Sequence, residues 1–327
     1  MDFTELVDLA AENLGGSVLW ANDEFFAHKE NLLKRKPAIF IEDKYTDWGK
    51  WMDGWETRRR RSPRLDEPYD ECIIRLGAPG EIAGVDVDTS FFRGNFPSHC
   101  SLEACAASGN ATAAELREAS WTEILPVSEL QGDSHNLFAV GSGERFTHLR
   151  FKIYPDGGVA RLRVHGRVRP DWDALRARNS EIDLAAVENG GSVPEASDMF
   201  FGHRHNLIMP GRALDMSDGW ESKRRRGPGY DWCIIELGAE GVIKRVEVDT
   251  WRFKGNYPES CMLEAGRAAG GDTASIEWKQ LLANTRLQAH TLHTFEKELA
   301  ALGPVTHARF NIYPDGGVSR LRLWGRI

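Results

Sequence analysis

One long block occurs twice in this 327-residue chain. THLRFKIYPDGGVARLRVHGR (147–167) returns as THARFNIYPDGGVSRLRLWGR (306–326), identical at 16 of 21 positions. A spacing of 159 residues is far longer than a solenoid repeat, so it marks two copies of a whole domain in tandem. Other blocks echo in the same order. DGWETRRRR (53–61) answers to DGWESKRRR (218–226), and VDVDTSFFRGNFP (85–97) to VEVDTWRFKGNYP (246–258). Gly15-Gly16-Ser17 and Phe25-Phe26 likewise pair with Gly190-Gly191-Ser192 and Phe200-Phe201. The offset between copies falls from 175 to 165, 161 and 159, which places extra residues in the first copy, mainly at 39–51 and 62–68. The copies are assigned to 1–168 and 188–327, with 169–187 as a linker.

With 41% hydrophobic and 28% charged residues the chain is an ordinary globular protein, long enough for a full core in each copy. It has no apolar run long enough to span a bilayer and no basic-then-apolar leader at Met1, so it reads as cytoplasmic. A net charge of −8 argues against a nucleic-acid binder, which would normally present a basic face, and leaves the arginine run at 58–61 as a local positive island. Cys72 and Cys100 recur as Cys233 and Cys261 without CxxC spacing, so buried reduced thiols are expected.

The repeated blocks read as strands. Leu149, Phe151 and Ile153 alternate with His148, Arg150 and Lys152, the period of a half-buried antiparallel strand, and Ala308, Phe310 and Ile312 repeat the pattern. The YPDGG segment (154–158) carries turn residues and predicts a hairpin into a strand at 160–166, with a twin in the second copy. Segments 72–76 and 85–88 predict further short strands, a spacing that favours a β-sandwich. Helices are expected only at the periphery, at 3–13, 23–33 and 171–179.

Taken together, the doubled DGWE(T/S)(R/K)RRR, DT..F(R/K)GN(F/Y)P and RF.IYPDGGV.RLR blocks closely resemble the allantoicase family over nearly the whole chain. That resemblance implies an all-β fold of two tandem jelly-roll sandwiches similar to galactose-binding modules. It also implies hydrolysis of allantoate to ureidoglycolate and urea; no cofactor and no metal site are assigned from the sequence. Such a substrate needs a cation for its carboxylate, polar partners for its ureido groups, and an acid/base group for water addition and urea departure.

Jelly-roll loops commonly form the binding surface, and the two doubled loops carry suitable residues. Glu56 or Asp88 is the expected acid/base, with Arg59, Arg60 and Arg93 for the anion and Thr89 and Asn95 for the ureido groups. The second copy offers Glu221, Asp249, Arg224, Arg225, Lys254, Thr250 and Asn256. Each has a plainer reading beside it. Asp53 and Asp218 suit turns, Trp55 and Trp220 suit packing, and Asp88 and Asp249 suit loop caps. His148 and His307 read as surface or interdomain residues, and Arg161, Arg163, Arg320 and Arg322 as structural or subunit-contact residues. Arg93 faces Lys254 across the copies, so two sites could not bind a carboxylate identically.

Three other functions compete: a noncatalytic carbohydrate-binding module, a metal-dependent amidohydrolase, and an interaction protein. The second lacks a convincing ligand set, since the ten histidines are scattered and there is no HExxH motif. A closed symmetric homo-oligomer is the default expectation for a soluble enzyme.

Overall fold

The computed structural model describes residues 2–60, 69–177, 180–268 and 273–327. The extra first-copy residues at 62–68 lie outside them. The chain forms two compact units, Met1–Arg169 and Pro170–Ile327. Within the expected linker, 182–187 already belongs to the second unit's structure: Ile182–Asp183 pairs with its last strand.

The strands of the first unit are β1 (Val7–Asp8), β2 (Ser17–Ala21), β3 (Tyr45–Thr46), β4 (Gly49–Lys50), β5 (Trp55–Glu56), β6 (Asp70–Asp88), β7 (His99–Cys105), β8 (Thr122–Glu129), β9 (His135–Ala139), β10 (Phe146–Tyr154), β11 (Gly158–Val159) and β12 (Arg161–Val168). The segments expected as two short strands are the ends of one 19-residue strand, β6. Its first half pairs with β2 and β10, and its second half with β9 and β12. A single strand therefore contributes to both layers of a sandwich, β2-β6-β10-β7-β8 and β1-β12-β6-β9. Cys72, Ile74, Leu76, Ile82, Val85 and Val87 point from β6 into the core, where they meet Leu149, Phe151 and Ile153 of β10.

The YPDGG segment does not make a hairpin. β10 and β12 each pair with β6, on opposite sides of it, so the connection passes between layers. Midway it forms β11, which pairs with β5 of the DGWE block (Gly158↔Glu56). Both glycines are required there. Gly157 has φ 141°, and a Cβ on Gly158 would lie 1.9 Å from the Phe92 ring.

Helical structure is sparser than expected. At 3–13 two 3₁₀ turns, Phe3–Glu5 and Glu12–Leu14, flank β1, because the Asp8 carboxylate accepts from Ala10 and Val164 amides and holds the chain as a strand edge. At 23–33 only Lys29–Leu33 is helical, as a 3₁₀ turn. The 171–179 helix forms as Trp172–Ala177, and 178–179 lie outside the described residues. A capped helix, Ala113–Arg117, had gone unrecognised although Thr112 and Glu115 make a capping box.

The second unit repeats the plan. It has β13 (Ile182–Asp183), β14 (Ser192–Ala196), β15 (Trp220–Glu221), β16 (Asp231–Asp249), β17 (Ser260–Gly266), β18 (Lys279–Arg286), β19 (Leu292–Phe295), β20 (Val305–Tyr313), β21 (Gly317–Val318) and β22 (Arg320–Arg326), with β16 as the 19-residue strand shared by both layers.

Arg161 and Arg320, expected as structural or subunit-contact residues, are buried. Arg161 donates to Asp53 Oδ2 at 2.7 Å and to the carbonyls of Lys36, Asp53 and Ala160 at 2.7–3.0 Å. The loop covering this face satisfies the guanidinium, so the role is structural and internal to the unit rather than a subunit contact. Arg320 does the same with Asp218 and the carbonyls of Gly211, Asn206, Asp218 and Ser319. Arg163 and Arg322 donate to carbonyls of the same loops, Lys34 and Met209. His148 and His307 are also buried rather than superficial, with Nδ1 against the neighbouring Thr147 and Thr306 hydroxyls, and burial pulls both pKa values down. Replacing Arg161 by Met, which leaves the buried Asp53 with only the half-exposed Lys34 as a cationic partner, is expected to lower the unfolding free energy of the first unit by about 3 kcal/mol. Denaturant unfolding followed by tryptophan fluorescence measures it.

Candidate active site

In the first unit the DGWE block presents one side chain inward and the next outward, as the pleat requires. Trp55 is fully buried, its Nε1 donating to the Asp23 carbonyl at 2.8 Å and its ring 6.2 Å from that of Phe151. Glu56 follows and turns to the opposite side. Its backbone is held by β11 on one edge and by a bridge to Ala27 on the other. The doubled tryptophan is thus a packing anchor, and it fixes where the glutamate stands. Trp220 and Glu221 repeat this arrangement, with Trp220 Nε1 on the Asp198 carbonyl at 2.9 Å and Glu221 bridged to Gly202.

The second doubled loop comes to meet it. Asp88 Oδ1 caps the loop by accepting from the Ser90 amide at 2.8 Å. Thr89 is fully buried, its hydroxyl bonded to the carbonyls of Gln131 and Ser134 at 2.6 and 3.0 Å. Phe91 follows with φ 69°, a conformation costly for a bulky residue, while Phe92 plugs the space beneath Gly54 and Gly158. The loop then returns so that the Asn95 backbone carbonyl accepts from the Gly158 amide at 2.8 Å, and the Asn95 Nδ2 donates to Glu56 Oε1 at 2.7 Å. In the second unit Asp249 caps Trp251, Thr250 bonds Gln288 and Thr291, Arg252 has φ 73°, and Asn256 Nδ2 donates to Glu221 Oε1.

Structure therefore brings together Glu56 with Asn95, and Glu221 with Asn256, while the other expected residues are placed differently. Thr89 and Thr250 are fully buried, with their hydroxyls bonded to loop carbonyls. Arg60 and Arg225 spend their guanidinium groups on the buried Asp70 and Asp231 at the start of the long strands. Arg59 projects into solvent 4.0 Å from Asp156, and Arg224 is exposed. Arg93 reaches the site but pairs with Asp133 at 3.0 Å; Lys254 is exposed. Asp88 has its Oδ1 engaged by the loop, and Asp249 accepts from both Trp251 and, at 3.4 Å, Arg212.

Glu56 opens onto a cleft of about 290 Å³ lined by Phe26, Gly49, Lys50, Met52, Phe91, Arg93, Gly94 and Asn95. Burial pushes its carboxyl pKa up and the Asn95 hydrogen bond opposes the rise; the net shift is upward, and the same holds for Glu221 with Asn256. An acid with displaced acidity, an amide and cations around a small concavity suit proton transfer on a polar anion. Lys50 was missed in the sequence. Its only signal was its position in the segment that the second copy lacks.

Among the described residues, Glu24, His28 and Glu30 bring three ligand atoms within 4.8 Å, but Lys29 pairs with both carboxylates, at 3.3 and 2.7 Å. His203 and His205, an H-x-H pair, have ring centroids 5.0 Å apart and tilted planes.

Fold and site define a tandem β-sandwich protein with a carboxylate–amide pair repeated at the same loop junction of each unit. A family model described as the allantoicase repeat matches residues 7–169 and 182–327. The chain is 50% identical to the probable allantoicase 2 of Burkholderia pseudomallei, covering 98% of this chain and 95% of that one. It is also 50% identical to the probable allantoicase of Ralstonia nicotianae, covering 100% and 96%. The crystal structure of allantoicase from Saccharomyces cerevisiae superposes with a TM-score of 0.82 at 38% identity, covering 98% and 92%. The chain belongs to the allantoicase family.

Replacing Asn95 by Ala removes the hydrogen bond that opposes the effect of burial, so Glu56 is expected to titrate still further above the usual glutamate value. Carboxyl-carbon NMR titration, assigned with Glu56→Gln, measures it; a downward shift would show that the amide does not stabilise the carboxylate.

Proposed function

We infer that the protein hydrolyses allantoate to ureidoglycolate and urea. In this reaction the bond from the central carbon to one ureido nitrogen breaks, a bond to the oxygen of water forms, and a proton passes from the water to the departing nitrogen. One carboxylate beside the central carbon can accept the first proton and return it to the leaving group. We assign that role to Glu56, because it combines a raised pKa, cleft access and a fixed amide partner. Asn95 would hold the carboxylate and donate to a ureido carbonyl. Glu221 and Asn256 are the corresponding pair of the second unit.

Asp88, Thr89, Arg60 and their counterparts Asp249, Thr250 and Arg225 are assigned to shaping the loops, Arg93 and Lys254 to the rims, and Arg59 and Arg224 to long-range attraction of an anion. The alternative of a noncatalytic binding module is not favoured, given half-identical relatives named as allantoicases over nearly the whole chain. No helix among the described residues is long and apolar enough to cross a membrane. A closed homo-oligomer in the cytoplasm is the form we propose, five buried unpaired thiols being suited to a reducing compartment.

The carrying observation is the Glu56–Asn95 contact within the cleft. Purified protein is expected to release urea from allantoate, and Glu56→Gln to lower kcat about 10²–10⁴-fold. As a base, Glu56 works ionised, so kcat/KM should rise with pH through a value above the usual glutamate range, and Glu56→Gln should remove that limb. Absence of urea with the unaltered protein overturns the function; an unchanged pH profile in the variant overturns the role.

A further inference from the structure

The three arginines expected to hold the substrate's carboxylate each have an acidic neighbour: Arg59 has Asp156, Arg60 has Asp70 and Arg93 has Asp133. Lys50 differs. It is half-buried at the same cleft as Glu56 and Asn95, and among the described residues no carboxylate pairs with it. Its Nζ lies instead over two aromatic faces, 4.8 Å from the Tyr45 ring centre and 5.0 Å from that of Phe40. Such faces attract a cation without neutralising it, so the positive charge stays available to an anion.

A small built element holds it there. β3 and β4 form a hairpin in which Tyr45 stands opposite Lys50. Trp48 at its tip packs on Phe25, ring centres 4.6 Å apart, and the Trp51 amide donates to the Lys44 carbonyl at 3.1 Å. Among the described residues the second copy has no such hairpin. Leu214 donates to the Asp218 carboxylate as Ile39 does to Asp53, but only Asp215, Met216 and Ser217 separate Leu214 from Asp218, where 13 residues separate Ile39 from Asp53.

We propose that Lys50 binds the carboxylate of the substrate, and that this hairpin equips the first unit's cleft for a carboxylate-bearing ureide in a way the second unit cannot match. The inference rests on the allantoate reading and adds the residue that selects for the acid group. In the bound state the Lys50 ammonium donates to the carboxylate at one side of the cleft while Glu56 faces the ureido-bearing carbon from the other.

The test compares Lys50→Met and Lys50→Arg in the full-length protein. Urea release from allantoate is measured alongside inhibition by methylenediurea, which has both ureido groups and no carboxylate. Loss of a charge-assisted hydrogen bond is expected to raise KM for allantoate about 10–100-fold in Lys50→Met. Lys50→Arg, which keeps the charge but changes the geometry, should raise KM by clearly less than Lys50→Met does. Inhibition by methylenediurea should be the same in all three proteins. An unchanged KM in Lys50→Met overturns the assignment, as does equal weakening of substrate and methylenediurea, which would mean that the cleft itself had been disturbed. If the unaltered protein releases no urea, it is the allantoate reading that fails.

Discussion

The buried guanidinium of Arg161 is the contact on which the first unit's site depends. Its five N–H groups meet Asp53 Oδ2 and the carbonyls of Lys36, Pro37, Asp53 and Ala160. Burial alone would raise the Asp53 carboxyl; the Arg161 fork and the nearby Lys34 charge outweigh it and hold it below the usual carboxylate range. A buried ion pair is weak support for net stability, but it is strict about geometry, because any displacement leaves charge and donors unsatisfied in a low dielectric. Asp53 opens the DGWE block, so the pair sets the position of Trp55 and, one residue on, Glu56. Arg320 and Asp218 do the same for Glu221.

From that anchor the site is assembled by alternation and close approach. The pleat that buries Trp55 exposes Glu56, and Gly158, with no room for a Cβ, lets Phe92 fill the space beneath. Phe92 in turn fixes the loop that returns Asn95 to the Glu56 carboxylate. The strained backbone at Phe91 and Arg252 lies inside this loop in both units, where surrounding contacts over-determine it. Asp88, Thr89 and Arg60, candidates by residue type, each make hydrogen bonds within the frame: to the Ser90 amide, to the Gln131 carbonyl and to Asp70.

Duplication preserved this frame and let the surroundings drift. The Arg–Asp pair, the buried Trp, the Glu–Asn contact and the positive-φ residue occur twice. What differs is the lining: Arg93 against Lys254, Asp133 against His290 under the strained amide, and a hairpin that among the described residues is present in the first unit alone. A shared scaffold with unequal rims is the arrangement expected when one copy is free to specialise.

Much was legible in the residues themselves. Period-two alternation in 149–153 and its twin identified core strands, and the doubled blocks identified two sandwich units and the family, because local pattern and repetition need no knowledge of distant contacts. Glu56, Asn95 and their twins could be named as candidates from residue type and loop placement. Tertiary structure decided which candidates meet. Ladder pairing merged the two short strands into β6 and turned the YPDGG hairpin into a crossover, since pairing partners depend on residues tens of positions away. Burial made His148 an interior residue rather than a surface or interdomain one, and a covering loop supplied the carbonyls that give Arg161 its structural role within the unit. The same long-range folding brought Lys50 to the cleft, a proximity to Glu56 and Asn95 that sequence spacing does not encode.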